Sequence, residues 1–185
     1  MKVKHASYEP IWQQVLQDDI GALEAIYKGF YSDLFQYAYK LTADSGMAED
    51  AVQDTFLYVW QHRQQIGVIK SLRFYLIRSV RNACLKLLQK RSKIEAIDAN
   101  LQLTILPEEL SLIDLDARTK KQLQQALLEL SPRQREIIFL KFYSNLDYEE
   151  ISSILDINYQ SVVNHVHRAI QKLRKSSLLQ FFQYL

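Results

Sequence analysis

The chain has 185 residues, 48% of them apolar and 24% charged, with a net charge of +2, four glycines, three prolines and a single cysteine. That balance excludes a disordered chain and an intrachain disulfide, and it allows one ordinary domain or two small ones. No run of 18 apolar residues occurs and the opening MKVKHASYEPIWQQ has no signal-peptide core, so neither membrane insertion nor export is expected and the place of action is the cytoplasm.

Few glycines and prolines among plentiful Leu, Gln, Lys, Glu and Ala predict an all-α fold. The small net charge hides an uneven distribution. Residues 70–93 hold eight basic residues and no acid, residues 94–117 six acids and no base, and residues 159–185 four basic residues and no acid. Two basic blocks around an acidic segment suggest nucleic-acid contact in two places.

In chain order, the first helical pattern runs from about 19 to 44, with Leu23, Ile26, Tyr27, Phe30, Leu34, Tyr37 and Leu41 at helical spacing. Ser45 and Gly46 read as a turn before a second helix, MAEDAVQDTFLYVWQHR, which places Glu49 and Asp50 in its first turn, where the helix dipole favours acids. Ala48, Val52, Thr55, Phe56 and Val59 share one face of it, and Asp50, Gln53, Asp54, Leu57 and Gln61 the other. A leucine inside an acidic, amide-rich stripe is either a docking patch or a stray apolar residue on a solvated face.

A third helix follows Gly67, with Leu72, Leu76, Val80, Ala83 and Leu87 as its buried stripe. Its opposite face presents Phe74, Tyr75, Arg78, Arg81 and Asn82. Rings that stack on unpaired bases, interleaved with guanidinium groups that hold phosphates, suit single-stranded nucleic acid. The alternative is that the two rings pack on a neighbouring helix and the basic groups are merely solvated. Residues 94–117, with Pro107 and weak periodicity, read as a linker. Their acids either mimic nucleic acid in a partner's basic channel or simply keep a tether in water.

Helical periodicity resumes at Arg118. Ser131-Pro132-Arg133-Gln134 and Asp147-Tyr148-Glu149-Glu150 are both capping-box starts. The second helix runs to about Leu155, and the turn Asp156-Ile157-Asn158 leads into a last helix from about Tyr159 to Ser176. This is a helix-turn-helix plan. At 100° per residue Val162, Val166, Ala169 and Leu173 fall within about 40° of one another and face the core. Gln160, Asn164, His167, Arg168 and Gln171 point away, with Ser161 and Val163 at the rim and His165 near the core edge. Outward residues near the start of such a helix meet base edges, where Asn and Gln read adenine and Arg reads guanine. Arg168, Lys172, Arg174 and Lys175 supply phosphate affinity. His165 and His167 diverge by about 200°, which argues against a shared metal ion. No Gly-rich phosphate loop, metal cluster or nucleophile triad is evident, and Cys84 lies near the buried stripe, so no cofactor and no enzymatic activity are expected.

Three stretches together, AEDAVQDTFLYVW, FYLIRSVRNACLKLL and LSPRQREIIFLKFYSNLDYEEISSILDINYQSVVNHVHRAIQKLRK, resemble conserved regions two and four of bacterial sigma factors of the extracytoplasmic-function (ECF) type. The resemblance covers about residues 18–175. It implies two small helical domains, a region-2-like bundle at 1–93 and a region-4-like helix-turn-helix domain at 118–185, joined by the acidic linker 94–117. It also implies a transcription initiation factor whose partners are core RNA polymerase, duplex and single-stranded promoter DNA and an anti-sigma factor.

In that scheme Asp50, Gln53, Asp54, Leu57, Trp60 and Gln61 dock the polymerase clamp. Phe74, Tyr75, Arg78, Arg81 and Asn82 open and hold the minus-ten element, and the loop from about Gln64 to Leu72 captures a flipped base. Gln160, Ser161, Val163, Asn164, His167, Arg168, Gln171 and Lys172 read the minus-thirty-five duplex. The chain departs from the family's pattern at Asp156, where Gly is frequent, and at Tyr75, where Trp is common. Its reading helix has Val163, Asn164, His165 and His167 where basic residues are frequent, so promoter sequence does not carry over. The other reading of the same residues is a stand-alone helix-turn-helix regulator with an N-terminal dimerisation or sensor module.

Overall fold

Local capping chemistry sets most of the helix ends. The computed structural model describes residues 8–92 and 125–175; the linker 94–117, the start of the second domain before 125 and the tail SSLLQFFQYL lie outside the described residues. Among the described residues every regular element is helical. They fall into two compact units, one within 1–98 and the other within 99–185.

The first unit contains α1 (Glu9–Leu16), α2 (Ile20–Thr42), α3 (Ser45–Ile66) and α4 (Leu72–Ser92). Helix α1 has no counterpart in the sequence reading. Only Trp12 and Val15 are buried along its eight residues, too few to make a periodic signal. It ends in a Schellman motif: Asp18 N–H donates to the Val15 carbonyl and Asp19 N–H to the Gln14 carbonyl, both at 3.1 Å, with Asp18 at φ 67°. Asp19 then caps α2, its carboxylate accepting the Ala22 N–H at 3.1 Å. Leu23, Ile26, Phe30, Leu34, Tyr37 and Leu41 are buried along α2 as its spacing predicts. Gly29 makes room for Tyr8: a Cβ there would clash with the Tyr8 hydroxyl, and the Tyr8 ring lies 4.8 Å from that of Phe30.

Several expectations change in this unit. Asp44, in extended conformation, accepts the Met47 N–H at 3.1 Å and so draws Ser45 and Gly46 into the first turn of α3. Glu49 and Asp50 therefore lie beyond that turn, where the helix dipole has little hold on them. Arg81, expected on the outer face of α4, is only 4% exposed. The reason is that α4 packs against both α2 and α3, which widens its buried arc to include Ile77, Arg81 and Cys84 beside Leu72, Leu76 and Val80. Ala83 and Leu87, placed in the stripe by spacing, are half-buried at its edge.

The second unit has a short helical segment at 125–128, α5 (Pro132–Ile138), a π-helical turn (Phe139–Tyr143), α6 (Tyr148–Leu155) and α7 (Tyr159–Lys175). Both predicted capping boxes form. Ser131 Oγ accepts the Gln134 N–H at 3.3 Å while Gln134 Oε1 accepts the Ser131 N–H at 3.0 Å. Asp147 Oδ1 accepts the Glu150 N–H at 2.7 Å and Glu150 Oε2 the Asp147 N–H at 3.0 Å. Helices α5 and α6 both pack on α7. Ala126, Leu127, Leu130, Ile138, Ala169 and Leu173 form one buried cluster. Among the described residues no helix is long and apolar enough to cross a membrane.

Candidate nucleic-acid interface

The turn between α6 and α7 is built by three local bonds. Asp156 sits in the left-handed region (φ 51°, ψ 48°), which a short carboxylate tolerates better than most side chains. Ser152 receives the Ile157 N–H on its carbonyl at 3.2 Å and donates its hydroxyl to the Ile157 carbonyl at 2.6 Å. Asn158 Oδ1 then accepts the Ser161 N–H at 2.7 Å and starts α7. The outcome is a rigid helix pair whose second member is seated by Val162, Val166, Ala169 and Leu173, all buried.

That seating leaves Gln160, Asn164, His167, Arg168 and Gln171 exposed, with Ser161 and Val163 half-buried beside them. The amides form i,i+4 pairs along the face: Gln160 Nε2 donates to Asn164 Oδ1 at 3.3 Å, and Gln171 Nε2 lies 3.4 Å from His167 Nε2. Each pair holds a planar hydrogen-bonding edge outward, which is the equipment for reading base edges in a major groove. Lys172 is exposed as well and donates from Nζ to the Glu129 carbonyl at 3.0 Å, at the end of the 125–128 segment. The side chains of Arg174 and Lys175 lie outside the described residues.

The two histidines part company. His167 is exposed, whereas His165 is half-buried and its Nδ1 is buried without a hydrogen-bond partner among the described residues. Burial, then the nearby Arg133 and Arg168 charges, hold its pKa below the ordinary value of 6.5. Neutral at physiological pH, His165 adds no charge to the face.

On α4, Phe74 and Tyr75 are half-buried while Arg78 and Asn82 are exposed. The Arg78 guanidinium sits 6.0 Å over the Phe74 ring. Ser71 Oγ accepts the Phe74 N–H at 3.2 Å and caps this helix. Burial, above all, raises the Tyr75 hydroxyl pKa, so the ring stays neutral and free of charge repulsion toward an anion. Arg81, neighbouring Phe74 along the helix surface, is buried and adds no exposed charge to this face. The Cys84 thiol, also buried, is pushed up to about 12 by its burial and is no nucleophile at neutral pH.

On α3, Asp50, Gln53, Asp54, Leu57 and Gln61 are all exposed, and Leu57 keeps 55% of its surface in water. Trp60 is half-buried beneath the Arg63 guanidinium, 4.1 Å from the ring centroid. Sequence reasoning overlooked Tyr58, which is 51% exposed next to Leu57 and stacks on His62 at 4.1 Å between ring centroids. The signal was present in the i,i+4 spacing of two aromatic side chains on a helix.

Comparison with known proteins places both units in one family. A family model described as Sigma-70 region 2 matches residues 26–94, and one described as Sigma-70, region 4 matches residues 120–173. The ECF RNA polymerase sigma factor SigL of Mycobacterium tuberculosis is 29% identical over 155 residues, covering 82% of this chain and 86% of its own. SigW of Bacillus subtilis, also an ECF RNA polymerase sigma factor, is 24% identical over 176 residues, covering 88% and 92%. Among solved structures, the sigma factor RpoE from Bartonella quintana, crystallised with the anti-sigma factor NepR, aligns with a TM-score of 0.60 at 25% identity over 83% of this chain and 94% of that one. CnrH, solved in complex with the cytosolic domain of CnrY, shares the fold with a TM-score of 0.63 at 19% identity, over 95% and 98%.

Proposed function

As a member of the sigma-70 family, of the extracytoplasmic-function type, this chain is a transcription initiation factor that directs RNA polymerase to promoters, and we propose that three of its exposed faces divide the work. The α7 face of Gln160, Ser161, Val163, Asn164, His167, Arg168, Gln171 and Lys172 reads the minus-thirty-five duplex. The α4 face of Phe74, Tyr75, Arg78 and Asn82 takes the minus-ten element as a single strand. The α3 face of Asp50, Gln53, Asp54, Leu57, Trp60 and Gln61 docks on core polymerase. Residues 1–93 then form the polymerase-docking and melting domain, 94–117 the linker and 118–185 the duplex-reading domain. Bond formation belongs to the polymerase, in the cytoplasm, and an anti-sigma protein is the expected regulator.

The observation that carries the duplex reading is the seating of α7: its buried stripe is complete, and the exposed polar residues are amides, a histidine, an arginine and a lysine, with no acid among them. Phosphate contacts would position the helix and the amide edges would discriminate. The test is a selectivity scan. Holoenzyme carrying Asn164→Ala or Arg168→Ala is bound to duplexes altered one base pair at a time across the minus-thirty-five element. Each variant is expected to relax preference at particular positions, by about 1–3 kcal/mol. Unchanged selectivity in both variants contradicts the assignment. Tight binding of the isolated protein to a palindrome, without polymerase, would instead favour the regulator reading.

A further inference from the structure

Between α3 and α4 runs a short loop, and both of its ends are pinned. At the far end Ser71 caps α4 through the Phe74 N–H. At the near end Gly67 closes α3 at φ 63° and ψ −145°, a backbone conformation that other residues rarely adopt. The Gly67 carbonyl accepts a hydrogen bond at 2.9 Å from the indole Nε1–H of Trp12. Trp12 belongs to α1, 55 residues away in the chain, and only 1% of it is exposed. Of the residues between the two pins, Val68 is 81% exposed and Lys70 is exposed too.

Helix α1 is itself braced against the end of α3. Gln64 Nε2 donates to the Leu16 carbonyl at 2.6 Å, and Arg63 Nε donates to Asp18 Oδ1 at 2.6 Å. The same Arg63 covers Trp60 and donates from Nη1 to its carbonyl. One buried indole therefore holds the carbonyl from which the loop departs, and the segment carrying that indole is fastened at three points.

We propose that Trp12 is a positioning residue for the Gly67–Ser71 loop, so that α1 sets how this loop meets the promoter base it captures. This rests on the reading that the loop contacts the minus-ten element. Removing the indole N–H frees the Gly67 carbonyl to rotate, and the exposed Val68 beyond it loses its fixed direction. Base discrimination at the loop then falls, while contacts made by α3 and α7 stay as they were.

The test is run-off transcription by holoenzyme on templates altered one base at a time in the minus-ten element, with Trp12→Phe, Asp18→Gly and Val68→Ser compared with the native chain. Trp12→Phe keeps an aromatic ring and loses only the N–H donor and ring area. Asp18→Gly removes the Arg63 partner yet suits the left-handed backbone at that position, so it folds even where Trp12→Phe does not. The inference requires that both α1 variants lower discrimination, by roughly three- to tenfold for Trp12→Phe, the worth of one such hydrogen bond. The loss must fall at the positions that Val68→Ser affects, with competition for core polymerase and minus-thirty-five preference unchanged. It is overturned if Val68→Ser alters discrimination and the α1 variants do not, or if they lower output equally on every template. If Val68→Ser alters no minus-ten position, the loop reading itself fails and takes the inference with it.

Discussion

Leu57→Ala gives the sharpest separation between fold and partner binding. Leucine and alanine are both strong helix formers, and Leu57 lies on an exposed face of α3. With 55% of its surface in water, it has little to lose within the free chain. Complete burial of a leucine contributes about 1.5–3 kcal/mol. Covering the 55% that the free chain leaves exposed would contribute roughly half of that on docking, about 0.8–1.6 kcal/mol, or about four- to fifteenfold in affinity. Competition between the native and Leu57→Ala chains for limiting core polymerase reads this ratio directly, and a thermal melt of each free chain supplies the control. An affinity within twofold of native would refute the docking role. A weakened affinity accompanied by a large drop in Tm would refute the argument from exposure.

Three further outcomes are expected. Replacing both Phe74 and Tyr75 by Ala should leave polymerase binding intact and impair promoter opening; equal loss on a pre-melted template would contradict the stacking role. Because the folded-state pKa of His165 is held below 6.5, the unfolded chain takes up the proton first, so stability is lost as pH falls through 6.5. Melting curves should show this slope in the native chain and a shallower one in His165→Gln. Asp147→Ala removes the carboxylate that accepts the Glu150 N–H in a capping box and should destabilise the second unit by about 1 kcal/mol, visible as a lower Tm.

The helix-turn-helix was legible in the sequence because every level of its structure is local. Ser131 and Asp147 announce their helices by pairing with residues three positions on, Asp156 tolerates the left-handed turn, and the 100° period alone sorts Val162 and Val166 from Asn164 and Arg168. The outer face of α3 was legible for the same reason. Arg81 was not, because its burial depends on α4 having two neighbours at once, and a single helix's period cannot report that. The start of α3 was misplaced by two residues since Ser45 and Gly46 carry turn propensity, and Asp44, one step earlier, decided the matter by capping. Helix α1 escaped because its value lies in contacts 45 to 55 residues distant, such as Arg63 to Asp18 and Trp12 to Gly67.

Reconstitution with purified core RNA polymerase tests the central claim most directly. Run-off transcription on a genomic template library, with and without this protein, should yield discrete promoter-dependent products only when it is present, and Asn164→Ala should redistribute them. An unchanged transcript pattern on adding the protein, with no association between it and core polymerase, would contradict the account.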